Sequence, residues 1–216
     1  MEEKSPIFDR SVNFRVPILS GGKRVEVRVR FPTDEEWAEL SRDQPMVERS
    51  SREGVRARIE GDAERDAELF ELIRLDADGG PELDAAEASL AIAMLSRANV
   101  VESDIGPNKA SVDLEVCGRI RTRHVLAMPT QAQFRRYNND VTDRIIQKRR
   151  TVTVIRLEPA GQLYDELIEA VQGYGKRGKA GVPVIHKEEV VATALRGFRE
   201  MLDDLDVVPE TDSPAE

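Results

Sequence analysis

A single cysteine, Cys117, excludes an intramolecular disulfide framework and a cysteine-rich zinc site, and it suits a reducing compartment. Histidine is almost as scarce. His124 and His186 lie far apart in sequence, with no H-x-x-x-H spacing from which to read a metal site. Aromatic residues make up 5% of the chain, so its core is expected to consist of Val, Leu, Ile and Ala. Long apolar runs are missing too: no window approaches the roughly 18 residues of a membrane span. Met1-Glu2-Glu3-Lys4-Ser5-Pro6 lacks a basic segment followed by an apolar one, which predicts no signal peptide. Positive charge is in deficit, with 32 Lys and Arg against 41 Asp and Glu; the formal net charge of −9 argues against a general nucleic-acid coat. These absences predict a cytoplasmic protein without a membrane partner.

Signatures of catalysis are also absent. There is no G-x-S-x-G nucleophile elbow. Gly173-Tyr174-Gly175-Lys176-Arg177-Gly178-Lys179 matches the first seven positions of a phosphate-binding loop, but Ala180 supplies no hydroxyl for magnesium. The stretch reads as following a helix that runs to Val171, and Pro183 falls where the phosphate-binding helix should begin, so a flexible basic loop is expected. Cys117 has no neighbouring His or second Cys to activate it. The acidic residues read as helix caps and surface charge. No catalytic, cofactor-binding or metal-ligating residue is assigned, no cofactor is expected, and the chain reads as a non-enzyme.

What the chain does contain is a repeated layout. Phe31-Pro32-Thr33-Asp34-Glu35-Glu36-Trp37 recurs 97 residues on as Met128-Pro129-Thr130-Gln131-Ala132-Gln133-Phe134. Each copy follows an alternating run and opens a helical one. In the first, Val12, Phe14, Val16 and Ile18, then Val25, Val27, Val29 and Phe31, alternate with polar residues around Gly21-Gly22, predicting a β-hairpin. Pro17 marks an edge strand or an outward-facing position. In the second, Val112, Leu114 and Val116 lead through Cys117-Gly118 to Ile120, Thr122, His124, Leu126 and Met128. His124 falls on the inward side, as a packed and hydrogen-bonded residue. Thr33 with Glu36, Asp84 with Glu87, and Thr130 with Gln133 form capping boxes. Phe134, Tyr137, Val141, Ile145 and Ile146 read as one apolar stripe, and Pro159 ends a β-rich run from Thr151 to Leu157.

Further along, residues 44–60 read as an excursion with a turn at Ser50-Ser51-Arg52-Glu53-Gly54. Helical runs follow at Ala63–Leu75, Ala88–Arg97, Leu163–Val171 and Val190–Leu202. Pro183-Val184-Ile185-His186 parallels Pro81-Glu82-Leu83-Asp84, which puts His186 at a cap position. The expected fold is α+β in two tandem related units, each a β-hairpin, a capped helix, a further strand element and two helices. The divisions are 1–10, a polar leader; 11–100, the first unit; 101–205, the second; and 206–216, an acidic disordered tail. Such a tandem suggests a pseudo-twofold pair.

One basic concentration stands out in this acidic chain: Arg119, Arg121, Arg123, Arg135, Arg136, Arg144, Lys148, Arg149 and Arg150. It reads as a face for an acidic protein partner. Stacking aromatics are sparse there, with only Tyr137 available, so nucleic acid gains little support. The hairpin Ser20-Gly21-Gly22-Lys23-Arg24-Val25-Glu26-Val27-Arg28, the Phe31-Pro32-Thr33 junction and the acidic helix bearing Trp37 resemble small tail-assembly proteins of tailed bacteriophages. In those proteins a G-K-x-x-x-V hairpin leads into a helix. The resemblance covers residues 12–41 and, more weakly, 111–138, and its motifs are short. It implies a non-enzymatic, chaperone-like or virion-associated morphogenesis protein, acting through protein contacts in the host cytoplasm, with another tail component as partner. The tandem layout departs from the single-unit pattern, and no family site residues carry over. The alternatives are a nucleic-acid-associated regulator and an enzyme using unrecognised carboxylates. Oligomeric state is left open.

Overall fold

The computed structural model describes residues 7–42, 46–51, 54–59, 63–76, 79–147 and 150–206. Strands β1 (Phe14–Ser20) and β2 (Lys23–Val29) form an antiparallel hairpin that leads into helix α1 (Asp34–Arg42). A second hairpin follows, β3 (Met46–Ser51) with β4 (Gly54–Ile59), then α2 (Ala63–Ile73) and α3 (Ala85–Ser96). After β5 (Ala98–Ile105) the order hairpin, helix, hairpin, helix recurs: β6 (Lys109–Val116), β7 (Ile120–Ala127), α4 (Gln131–Asp140), β8 (Thr142–Gln147), β9 (Arg150–Ile155) and α5 (Leu157–Leu167). Strand β10 (Ile168–Gln172), a 3₁₀ segment (Gly175–Gly181) and the long α6 (Val184–Asp206) complete the described chain. The class is α+β, as the alternating and helical periodicities predict.

The two principal hairpins turn differently and keep the same face inward. Gly21 and Gly22 make a two-residue turn with φ of 54° and 77°, the left-handed values a tight hairpin requires. In the second, Cys117 (φ 49°) and Gly118 (φ 69°) occupy the same conformation, and Arg119 is an extra turn residue between the paired Val116 and Ile120. Val16 faces Val27 in the first hairpin, and Val112 faces His124 in the second. Side chains alternate between faces with period two, so the added turn residue keeps the inward sets opposite one another. The three capping boxes are present: Thr33 with Glu36, Asp84 with Glu87, and Thr130 with Gln133 each exchange both side-chain-to-backbone hydrogen bonds.

Each hairpin gains a neighbour along its second strand. β10 pairs antiparallel with β7, and the sheet runs β10-β7-β6-β5. At the matching place in the first half, Val29 bridges Arg74, and Arg30 and Leu75 donate their amides to Ile73 and Arg28 carbonyls. Three expectations are corrected here. Val141 to Ile146 does not extend α4, which ends at Asp140 and is followed by β8. Ile168 to Val171 forms strand β10 rather than the end of α5. Pro159 sits in the first turn of α5, where a missing N–H leaves no hydrogen bond unmade. The stretch Ala98–Ile105 is a strand paired with β6.

Buried residues of both halves belong to one contiguous core. α3 packs on β1 and α6 packs on β5 and β6. Gly197 permits the close approach of α6, since a Cβ there would lie 2.5 Å from Ile105 Cγ1. Between the halves the relation is not twofold. Helix α1 packs on α5 and α6 of the other half, whereas α4 packs on α5 and β8 of its own. The halves therefore meet head to tail. That junction is aromatic, unlike the aliphatic core expected: Phe8 makes ring contacts with Phe14, Phe31, Tyr174 and His186, at centroid distances of 5.8, 5.2, 5.5 and 5.1 Å. The Phe8 amide also donates to the Gly173 carbonyl at 2.8 Å, so this part of the expected polar leader belongs to the core.

Candidate functional site

The repeated strand-to-helix joint exists in a closed and an open form. In the first half Phe31 and Trp37 are only 4% and 3% exposed. Phe8 stands edge-on to Phe31, and the His186 ring lies 6.0 Å from it. Asp34, at the positive end of α1, accepts the Val184 amide at 3.0 Å through Oδ1, and accepts from Arg10 at 3.1 Å through Oδ2. One carboxylate thus satisfies an orphan amide at the start of α6 and ties the halves together. The Arg30 guanidinium donates to both Glu36 oxygens at 2.8 and 2.6 Å, and holds that carboxyl below its ordinary range.

In the second half the counterparts Met128, Pro129 and Phe134 are only half-buried. With Gln131 of α4 and Leu195, Phe198 and Arg199 of α6 they line a cleft of about 400 Å³. The gap follows from the packing, because α4 rests chiefly on α5 and β8 of its own half. Leu195 and Phe198, three apart on α6, form the buried floor. Arg199 lies over the Phe134 ring with its guanidinium carbon 5.4 Å from the centroid. Arg135 and Arg136 are exposed on α4. Arg136 donates to Glu166 at 2.6 and 2.7 Å, and Gln133 Nε2 donates to the same carboxylate at 3.0 Å. Those two partners, Gln133 first, keep Glu166 below the usual carboxylate range. Deeper between α4 and α6, burial pushes the Tyr137 phenol up to about 12, with the Glu188 charge adding to the effect. Glu188 is itself raised to about 7 by burial and then by Glu189.

Of the nine basic residues expected to form one face, Arg135 and Arg136 lie on α4 and neither lines this cleft. Arg121 and Arg123 project from the outer face of β7, where carboxylates oppose them. Arg123 makes a bidentate pair with Asp113 at 2.7 Å, and Arg121 lies across from Glu115 in register. Arg119, on the turn, lines a separate cleft of about 380 Å³ with Arg15, Arg24 and Cys117. Arg144 and Arg150 fall on β8 and β9, and Lys148 and Arg149 lie outside the described residues. Arg199, Leu195 and Phe198 were not foreseen. They lie over 60 residues along the chain from the joint they border, and no spacing rule links them to it.

A second cluster is chemically suggestive and wholly internal. His124 Nδ1 shares a hydrogen bond with the Tyr164 hydroxyl at 2.8 Å, and its Nε2 pairs with Thr122 Oγ1 at 3.1 Å. The Tyr174 hydroxyl reaches Thr122 Oγ1 at 3.4 Å and His186 Nδ1 at 3.1 Å. His186 lies in the first turn of α6 and not at its cap, a correction that follows from its burial among Phe8, Phe31 and Tyr174. Burial pushes His124 down to about 4 and His186 to about 3, the latter aided by His124 and Arg10, while both tyrosines are raised. The cluster is enclosed in the core, where these hydrogen bonds pair most of its buried polar atoms. His186 Nε2 and Trp37 Nε1 have no partner among the described residues.

Burial raises the Cys117 thiol to about 11, far from a reactive thiolate. The glycine-rich stretch does follow a strand, β10, against expectation. It then forms the 3₁₀ segment, with Gly178 at φ 51° and ψ −129°, and no phosphate-binding helix begins there. Among the described residues no group of three His, Cys, Asp or Glu is placed to hold a metal ion, and no helix is long and apolar enough to cross a membrane. No protein-family model, curated protein or solved structure matches this chain.

Proposed function

We propose that this chain is a non-enzymatic protein-binding assembly factor that receives an acidic partner at the open joint of its second half. The supporting observation is the contrast between two copies of one motif. Phe31 and Trp37 are sealed by the other half, whereas Met128 and Phe134 line a cleft of about 400 Å³ beside Arg199. An apolar cleft bordered by the Arg199 guanidinium suits a segment carrying both apolar side chains and carboxylates. Its apolar part leaves water in the cleft, and the acids meet Arg199 at the rim, which fixes orientation. The hairpin resemblance suggests the setting: tail morphogenesis of a phage or phage-like particle in the host cytoplasm, with another tail component as partner.

The test is co-purification of the tagged chain with proteins co-expressed from adjoining genes. Arg199→Glu and Phe134→Ala are each expected to lower recovery of the partner about tenfold, as a charge reversal or loss of a central anchor does. Far-ultraviolet circular dichroism should stay unchanged. Full recovery of the partner by both folded variants overturns the proposal.

A further inference from the structure

We infer that the cleft of about 380 Å³ between the first hairpin and the turn of the second binds a small organic phosphate, a monoester with an apolar body. It lies apart from the cleft beside Phe134 and shares no lining residue with it. Three parts of the fold meet here: strands β1 and β2, the end of α3, and the β6–β7 turn of the other half. α3 packs on β1, and the turn is fastened to the end of α3, because the Cys117 amide donates to the Arg97 carbonyl at 3.1 Å. Arg119, the residue by which this turn exceeds the Gly21-Gly22 turn, thereby joins Arg15 of β1 and Arg24 of β2 in the cleft wall.

Arg30, Arg74, Arg123 and Arg136 each pair with a carboxylate. The side chains of Arg15, Arg24 and Arg119 have no hydrogen bond or ion pair among the described residues, and they share one concavity. Glu26 is the single acid among the described lining residues, so two positive charges are left unmatched. A phosphate monoester carries roughly −1.5 to −2 near pH 7, which balances them. Guanidinium forks also suit its oxygens, since each can donate two parallel hydrogen bonds.

The rest of the wall is apolar. Phe14, Pro17 and Met94 are half-buried and Leu95 is buried, so an apolar body attached to the phosphate loses water against them. Glu26 can accept a hydrogen bond from a hydroxyl or ammonium on that body. The volume falls in the range of about 300–1,000 Å³ common to small-molecule sites. A peptide strand suits this edge poorly: among the described residues β1 pairs with β2 alone, but Pro17 has no N–H to offer a further ladder.

The experiment is an NMR titration of the full-length, isotope-labelled chain with phenyl phosphate, inorganic phosphate and benzoate at constant ionic strength. Phenyl phosphate should shift the amides of Arg15, Met94 and Cys117. It should bind about tenfold more tightly than inorganic phosphate, which lacks the ring, and than benzoate, which lacks the second charge. Arg15→Ser and Arg119→Ser should each weaken phenyl phosphate about tenfold, while the remainder of the spectrum reports an intact fold. Arg135→Ser makes the same change of charge on α4, outside the cleft, and should leave the affinity unaltered. The inference is overturned by wild type whose three amides do not move, by equal affinity for either comparison compound, or by full affinity in both cleft variants. Equal weakening by Arg135→Ser shows counter-ion binding only and overturns it as well.

Discussion

Phe31 with Trp37 and Met128 with Phe134 hold corresponding places in one repeated motif, yet the first pair is core and the second is surface. Both joints rest on the same local physics: a strand stops at a proline, and a threonine accepts the amide three residues on. Their difference arises afterwards, from what is laid on top. Over the first lie Phe8 and the start of α6; beside the second stand Leu195, Phe198 and Arg199 of the later turns of α6, and a cleft remains. A motif that reads as one structural element can therefore become a core contact in one copy and the wall of an open cleft in the other.

The sharpest way to break this comparison is truncation at the two matched aromatics. Trp37→Ala is expected to cost about 3–5 kcal/mol of stability, the loss typical of a large buried ring. Phe134→Ala should cost about 1 kcal/mol or less, because its ring already meets solvent. Urea unfolding of both variants measures this, and equal losses would mean that the second joint is as closed as the first.

The inward positions of the hairpins offer the next contrast. Val27 and Phe70 are fully buried in the first half, and His124 and Tyr164 are buried and hydrogen-bonded in the second. Both histidines have folded values below their ordinary 6.5, at about 4 and about 3, with burial as the leading cause. The unfolded chain then binds more protons below pH 6.5, so stability is full above that value and falls as the pH drops toward the folded values. By pH 5 the loss should be about 1–2 kcal/mol for each histidine. Glu188 acts oppositely: with a folded value near 7 it lowers stability as pH rises from 4.5. Glu188→Gln should therefore be more stable than wild type above pH 7 and lose stability more steeply on acidification. Unfolding midpoints of Glu188→Gln that do not change between pH 7.5 and 5 would contradict the buried, neutral histidine pair.

The smallest expected effect separates the ion pairs of the two α1-like helices. Arg136 and Glu166 are 50% and 38% exposed at the side chain, so Arg136→Ala should change stability by about 0.5 kcal/mol or less. Arg30 and Glu36 are more enclosed, at 33% and 19%, and Glu36 also completes the helix cap. Arg30→Ala should cost about 1 kcal/mol. A larger loss at Arg136 than at Arg30 would reverse the ranking of the two joints.

Much of the local structure was legible because it is set by neighbours in sequence. The alternation around Gly21-Gly22 and Cys117-Gly118 fixed both hairpins, and the capping boxes fixed the starts of α1, α3 and α4. The strands β5 and β10 were not legible. Ile168-Glu169-Ala170-Val171-Gln172 suits the end of a helix as well as a strand, and the edge of β7 decides between them. The basic face was legible only as a count of arginines. Pairing of Arg123 with Asp113 and of Arg136 with Glu166 depends on cross-strand register and helix packing, which composition does not carry.

By itself the sequence determined the α+β class, the inward faces of the two hairpins, the capped joints and their recurrence at 97 residues, since each rests on interactions that span only a few residues. Only the tertiary structure decided that one joint is sealed and the other open. That outcome depends on α6 laying its first turn against α1 and its later turns beside α4, contacts between residues more than 60 positions apart whose strength comes from excluded water and from shape.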